Sequence, residues 1–142
     1  MADLNPYISF KNNAREALDF YQSVLGGQVM CMTFGDLAAH GNPMGTPEAD
    51  NDLVMHGQLV TDTGLMIMAA DTGDVIEHVP ATQGMSIALT GSGEDLDYIQ
   101  AAFDAISAEA THVYPFEKAP WGDVYGMCVD KFGISWMFNV HK

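Results

Sequence analysis

Only five lysines and arginines stand against nineteen aspartates and glutamates in this 142-residue chain, leaving a net charge of −14. So poor a supply of cations excludes a nucleic-acid partner, because phosphate-backbone binding rests on Lys and Arg neutralising the strand. Anionic membrane surfaces are excluded by the same electrostatics. Cysteine is scarce as well. Cys31 and Cys128 are too few for a disulfide framework in a domain of this size and read as buried free thiols in strand-like runs. Few cations are on hand to activate either one. No apolar run approaches the roughly 18 residues of a membrane span. The opening Met1-Ala2-Asp3-Leu4-Asn5 has neither the basic nor the apolar segment of a secretory signal, so a cytoplasmic location is expected. Also missing are a Gly-rich phosphate cradle, an H-x-x-x-H spacing and a nucleophile–base–acid set.

What is present is a core. Hydrophobic residues make up 48% of the chain, enough for one folded domain over 1–142. Tyr7 to Phe10 reads as a short strand. Ala14 to Leu25 reads as a helix, with Ala14, Ala17, Leu18, Tyr21 and Leu25 at helical spacing and Gly26-Gly27 as its stop. Gln28 to Gly35 is a strand run, and the polar stretch from Asp36 to Asn51 is long enough for a lid. Leu53 to Val60 and Leu65 to Ala69 read as strands joined by the turn Thr61-Asp62-Thr63-Gly64. After a loop over 71–83 the order repeats. A strand over Met85 to Thr90 comes first, then a helix over Glu94 to Glu109 with Leu96, Ile99, Phe103 and Ile106 on one face. Strands over His112 to Glu117, Val124 to Val129 and Ile134 to Val140 complete it. Both last hairpins turn on a glycine, Gly64 and Gly133, and each has a methionine four residues further on, Met68 and Met137. The expectation is therefore α+β: two βαβββ half-repeats, 5–70 and 84–142, forming a curved mixed sheet around a central cavity. Neither half could cover its sheet alone.

Several stretches go beyond this pattern: Pro6-Tyr7-Ile8-Ser9-Phe10, Glu16-Ala17-Leu18-Asp19-Phe20-Tyr21 with Leu25-Gly26-Gly27, Met32-Thr33-Phe34-Gly35-Asp36, Val54-Met55-His56-Gly57-Gln58-Leu59, Trp121-Gly122-Asp123-Val124-Tyr125-Gly126, and Asp130-Lys131-Phe132-Gly133-Ile134-Ser135-Trp136-Met137-Phe138-Asn139. Together they resemble the PhnB-like branch of the vicinal-oxygen-chelate (glyoxalase/bleomycin resistance/dioxygenase) superfamily, the branch labelled as a 3-demethylubiquinone-9 3-methyltransferase domain. The residues offer no Gly-rich methyl-donor loop in support of that label. The resemblance implies a homodimer and a ligand cavity. In the superfamily's metal enzymes it also implies four ligands, one on the first and one on the last strand of each half. Those positions fall here on Pro6 (or Asn5), Met68, Ser86 and Met137. Zinc, iron or manganese would need imidazole or carboxylate there, whereas thioethers favour a soft ion such as copper(I). No metal and no cofactor is therefore expected.

His56 is the candidate catalytic residue, a mid-strand imidazole able to act as base or to hold a polar group. The competing reading is a buried histidine satisfied by a neighbour. Trp121, Asp123 and Tyr125 alternate at the mouth of a strand and could stack on and orient a ligand, or simply fasten a hairpin. Phe34 and Asp36 at the loop edge are weighed the same way. Met68 and Met137 are expected to line the cavity and Trp136, of opposite parity to Met137, to pack on a helix. His40, His78, His112 and His141 fall in loops or near strand ends. The functional expectation is metal-independent binding of a small, apolar molecule. The alternatives are a glyoxalase-type lyase or isomerase acting through His56 or a non-standard metal site, and an assembly protein whose pocket is vestigial.

Overall fold

The computed structural model describes residues 2–38, 50–73 and 84–141. The chain divides into two compact units, Met1–Pro80 and Ala81–Lys142. Each is built as strand, helix and three strands, so the fold is α+β with two βαβββ modules. No described helix is long and apolar enough to cross a membrane.

In the first module, β1 (Tyr7–Phe10) leads into α1 (Ala14–Leu25), followed by β2 (Gln28–Thr33), the short α2 (Phe34–Ala38), β3 (Val54–Val60) and β4 (Met66–Asp71). The sheet order is β1-β4-β3-β2. β1 runs parallel to β4, and the other neighbours are antiparallel. The face of α1 that carries Ala14, Ala17, Leu18, Tyr21 and Leu25 is buried, and the helix packs on β2, β3 and β4. Asn13 stands at the N-cap position but makes no side-chain capping bond. Its work falls to Asp71, at the far end of β4. That carboxylate is buried and accepts from Ala14 N at 2.8 Å and from Val54 N at 2.8 Å. A loop had been expected to begin at Asp71. The strand instead reaches it, because a buried carboxylate needs donors and these two amides supply them.

The second module has β5 (Ile87–Gly91), a 3₁₀ turn (Gly93–Asp95), α3 (Leu96–Ser107), β6 (Thr111–Lys118), β7 (Val124–Val129) and β8 (Ser135–Val140). The order is β5-β8-β7-β6, again with one parallel pair, β5 with β8. Helix α3 buries Ile99, Ala102, Phe103 and Ile106 against all four strands. The helix expected from Glu94 opens as the 3₁₀ turn because the Asp95 carboxylate reaches back to Ser92 N at 2.9 Å, tightening the first turn. Phe103 meets Phe138 edge-on with centroids 5.3 Å apart and stacks on Phe116 at 5.6 Å.

The two β-hairpin turns are built alike. Gly64 N donates to Thr61 O at 3.0 Å and Gly133 N to Asp130 O at 2.9 Å. Both glycines hold a positive φ, 92° and 83°, a conformation that side chains other than glycine's resist. The β2 run ends two residues earlier than expected. Thr33 and Asp36 exchange bonds, Asp36 Oδ2 accepting from Thr33 N at 2.9 Å and Thr33 Oγ1 from Asp36 N at 3.1 Å. This capping pair starts α2 where the sequence reads as a strand end.

Candidate functional site

Each sheet has a face covered by its helix and a face that its helix leaves open. The covered face is fixed by direct contact. A side chain at Gly57 would meet Leu18 of α1, and Phe138 of β8 meets Phe103 of α3. Strand alternation then assigns every other residue.

In the first module, Met32 pairs with His56, Met30 with Gln58, Gln58 with Met68 and Tyr7 with Met68. These residues all have the parity opposite to Gly57 and share the open face. His56 is half-buried there, its ring tilted against Tyr7 with centroids 6.0 Å apart. Tyr7 is 53% exposed, Met30 66% and Met32 47%. Their apolar surface is what an amphipathic sheet normally hides. Cys31, one residue from each of those methionines, has the opposite parity and pairs with Gly57. Burial raises its thiol pKa, with nearby Asp19 and Asp71 adding to the effect.

In the second module the open face carries Met127 opposite Met137, Tyr125 opposite Asn139, and Tyr114 opposite Met127. Trp121 stands at the mouth of β7, 63% exposed and edge-on to Tyr125 at 6.2 Å. The Tyr125 hydroxyl points to Met127 Sδ at 3.9 Å. Asp123 anchors the rim, its Oδ2 accepting from Asn139 Nδ2 at 3.2 Å and lying 3.6 Å from His141 Nδ1.

Of the eight residues singled out from the sequence, the structure gathers His56 and Met68 on one open face. It gathers Trp121, Asp123, Tyr125 and Met137 on or beside the other. Phe34 and Asp36 are placed differently. Phe34 is buried, its N–H bonded to Leu53 O at 3.0 Å, and the Asp36 carboxylate caps α2. Both lie in α2 and not at the edge of a loop. Trp136 packs on the helix side as its parity requires, 1% exposed, with Nε1 donating to Asp130 Oδ2 at 2.9 Å. His40, His78 and most of the suspected lid lie outside the described residues. Sequence reasoning passed over Tyr7, Met30, Met32 and Gln58. The parity of β3 around His56 could have found Gln58, but the others need the cross-strand register. Asn139 and His141 were missed for the same reason.

The four positions where the superfamily's metal enzymes carry ligands do not fit a divalent ion. Pro6 offers only its carbonyl, which already accepts from Met68 N at 3.0 Å. Ser86 Oγ is engaged with Ser135 Oγ at 2.7 Å. Met68 and Met137 supply thioethers, weak donors for hard or borderline cations. Among the described residues no three His, Cys, Asp or Glu side chains converge.

Paired βαβββ modules with this strand order define the glyoxalase/bleomycin resistance fold. A glyoxalase/bleomycin resistance/dioxygenase domain from Frankia superposes with a TM-score of 0.59 at 13% identity, over 100% of this chain and 93% of that one. Within that fold, residues 2–138 match the 3-demethylubiquinone-9 3-methyltransferase family, and the chain belongs to it. The structure of PA1353 from Pseudomonas aeruginosa superposes with a TM-score of 0.80 at 29% identity, covering 99% of this chain and 98% of its own. The PhnB protein of Bacillus cereus gives 0.69 at 21% identity, over 99% of this chain and all of its own. Protein YjdN of Escherichia coli (strain K12) is 24% identical over 146 residues, 98% of this chain and 95% of its own.

Proposed function

We propose that the open sheet face of each module is a surface for binding a small, apolar molecule without a metal. On the first module's face Met68 is the floor and His56 the polar anchor; on the second module's face Met137 is the floor, Trp121 and Tyr125 a stacking edge and Asp123 an orienting acid. The observation that carries this reading is the exposure of Tyr7, Met30, Met32 and Trp121 on faces that no described helix of their own module covers. Thioethers adapt to ligands of varied shape, and aromatic edges add stacking. The free thiols are consistent with a reducing, cytoplasmic setting. The PhnB-like resemblance favours a symmetric homodimer, which sedimentation at micromolar concentration tests, a monomer refuting it.

Nile red, a neutral apolar dye, serves as the probe. Its fluorescence should rise on titration into protein treated with EDTA. The isosteric Met68→Gln and Met137→Gln changes should each weaken binding several-fold, by analogy with burying an amide in place of a thioether. Equal affinity for wild type and both variants would sink the reading, as would binding that requires a divalent ion.

One observation favours a second function. His56 sits half-buried beside Tyr7 in an apolar face, a setting suited to general base chemistry in a glyoxalase-type lyase or isomerase. Loss of turnover in His56→Gln, once a reaction is found, separates that from binding alone, in which His56→Gln alters affinity only.

A further inference from the structure

The open face of the first module holds a donor set of which the apolar-ligand reading uses only His56 and Met68. Met32 lies directly opposite His56 across the β2–β3 ladder. Met68 and Met30 flank Gln58, the next residue of that parity along β3. Residues directly opposite in a ladder stand about 4.5–5.5 Å apart at Cβ and diagonal ones about 7–8 Å apart, within reach of long side chains. His56 thus has one methionine facing it and two on its diagonals, all on one face. Three rotatable bonds let each thioether swing towards the imidazole. Opposite-parity Cys31 belongs to the helix side. Met30 and Met32 are exposed, so the set is open to solvent. The chain's charge of −14 raises the local concentration of any cation.

Imidazole with thioethers is a donor set for a soft, low-coordinate d¹⁰ ion, and it discriminates against magnesium, calcium and manganese, which want oxygen. We propose that His56, Met32 and Met68, assisted by Met30, form a binding site for a soft monovalent cation, copper(I) or its analogue silver(I). The ion is a second ligand of this face, not a cofactor for the apolar one. The second module provides an internal control. The position of His56 is taken there by Tyr125, and Met127 and Met137 face each other.

The test uses the full chain with [¹³C-methyl]methionine and silver(I), followed by heteronuclear NMR. The expected result is one equivalent bound, moving the methyl signals of Met32 and Met68 and the ring signals of His56 while Met127 and Met137 stay in place. Anaerobic competition for copper(I) against bicinchoninate should then show affinity falling about tenfold or more in each of Met32→Leu and Met68→Leu, the thioether being a true ligand. The shape-conserving leucine keeps the fold, and Met127→Leu should leave affinity unchanged. The methyl shifts also separate this site from the two thiols. Silver taken up with no movement of Met32 or Met68 would place the ion on cysteine and overturn the proposal. So would unchanged copper(I) affinity in both leucine variants. Nile red binding in EDTA is read separately, so the apolar-ligand reading and the ion site stand or fall independently.

Discussion

The two modules share one topology and one hairpin geometry yet secure their helices in opposite ways. The first fastens α1 from a distance. Asp71, at the end of the last strand, crosses to the first turn of the helix and to the start of β3 with two 2.8 Å bonds. At the matching register of the second module, where Gly91 pairs with β8 as Phe10 pairs with β4, stands Val140, apolar and buried. There the helix start is fastened locally, Ser92 to Asp95, and the buried carboxylate sits in the hairpin turn. Asp130 accepts from Phe132 N, Ile134 N and Trp136 Nε1 at 2.9, 3.0 and 2.9 Å. One module uses a buried acid, Asp71, to join elements and the other uses Asp130 to close a turn around a tryptophan. The open faces diverge likewise: His56 and Gln58 occupy the β3 positions that Tyr125 and Met127 occupy in β7.

The largest effects should come from those two acids. Asp71→Ala strands two buried amide donors, and Asp130→Ala strands two amides and the indole N–H. Hydrogen bonds to a charged acceptor contribute about 1.5–3 kcal/mol each, so Asp71→Ala should cost at least about 3 kcal/mol in urea unfolding and Asp130→Ala, with three bonds, at least about 4 kcal/mol. Val140→Ala, at the position matching Asp71, should cost only about 1–2 kcal/mol. A D71A loss no larger than that of V140A would mean that the contrast between long-range and local fastening has no energetic content.

A sharper contrast lies in one pair of glycines. Gly57 and Gly126 each stand seven residues before the hairpin glycine, and both face the helix side. A Cβ at Gly57 would come within 2.7 Å of Leu18 Cδ1, the tip of a flexible side chain. At Gly126 it would come within 2.7 Å of Phe116 Cα, which is backbone. Overpacking costs about 1–3 kcal/mol. Gly126→Ala should fall at the upper end of that range and Gly57→Ala at the lower. Equal midpoints in chemical denaturation would show that the β6 backbone yields as easily as a leucine tip.

Much of this architecture was legible in the sequence because it is written in local periods. The spacing of Ala14 to Leu25, the glycine-ended hairpins and the parity of Met137 against Trp136 each depend on a few consecutive residues. What stayed hidden depends on partners far along the chain. Asp71 is distant in sequence from Ala14, and nothing near it signals that its carboxylate caps a helix. Thr33 and Asp36 carry a capping signal, but it was masked by the apolar run leading into Phe34. At the candidate site, His56 and Met68 could be singled out one at a time. The flanking Met30, Met32 and Tyr7 required the register of two ladders, which no single strand encodes.

The thiols extend the comparison to pH. Burial, aided by the Asp130 charge, pushes the Cys128 pKa up to about 11 from an ordinary value of 9.0. The folded state therefore holds this proton more tightly than the unfolded chain. The resulting stabilisation is complete below pH 9 and is lost as pH rises towards 11. At about 1.4 kcal/mol per pKa unit, about 2 kcal/mol should disappear across that window. Cys128→Ala should flatten the difference when stability is measured at pH 8 and pH 10.5. Cys31 is less buried, and Cys31→Ala should flatten it less. The reverse order would mean that the second module's core is the more open of the two.

The smallest effect should come from the hairpin turns, whose first residues differ between the modules. Thr61 occupies in the first turn the place of Asp130 in the second. Its Oγ1 accepts from Leu65 N at 3.0 Å, as Asp130 Oδ1 accepts from Ile134 N at 3.0 Å. A neutral hydroxyl bond contributes about 1 kcal/mol. Thr61→Ala should therefore cost about that much, well below Asp130→Ala, while leaving the turn's backbone bonds intact. Thr61→Asp tests the same idea in the other direction. Ile67 stands where Trp136 stands in the second module, so the added carboxylate should gain little, and a stabilisation matching the cost of Asp130→Ala would show that charge in the turn, and not the bond to Trp136, is what the second module relies on.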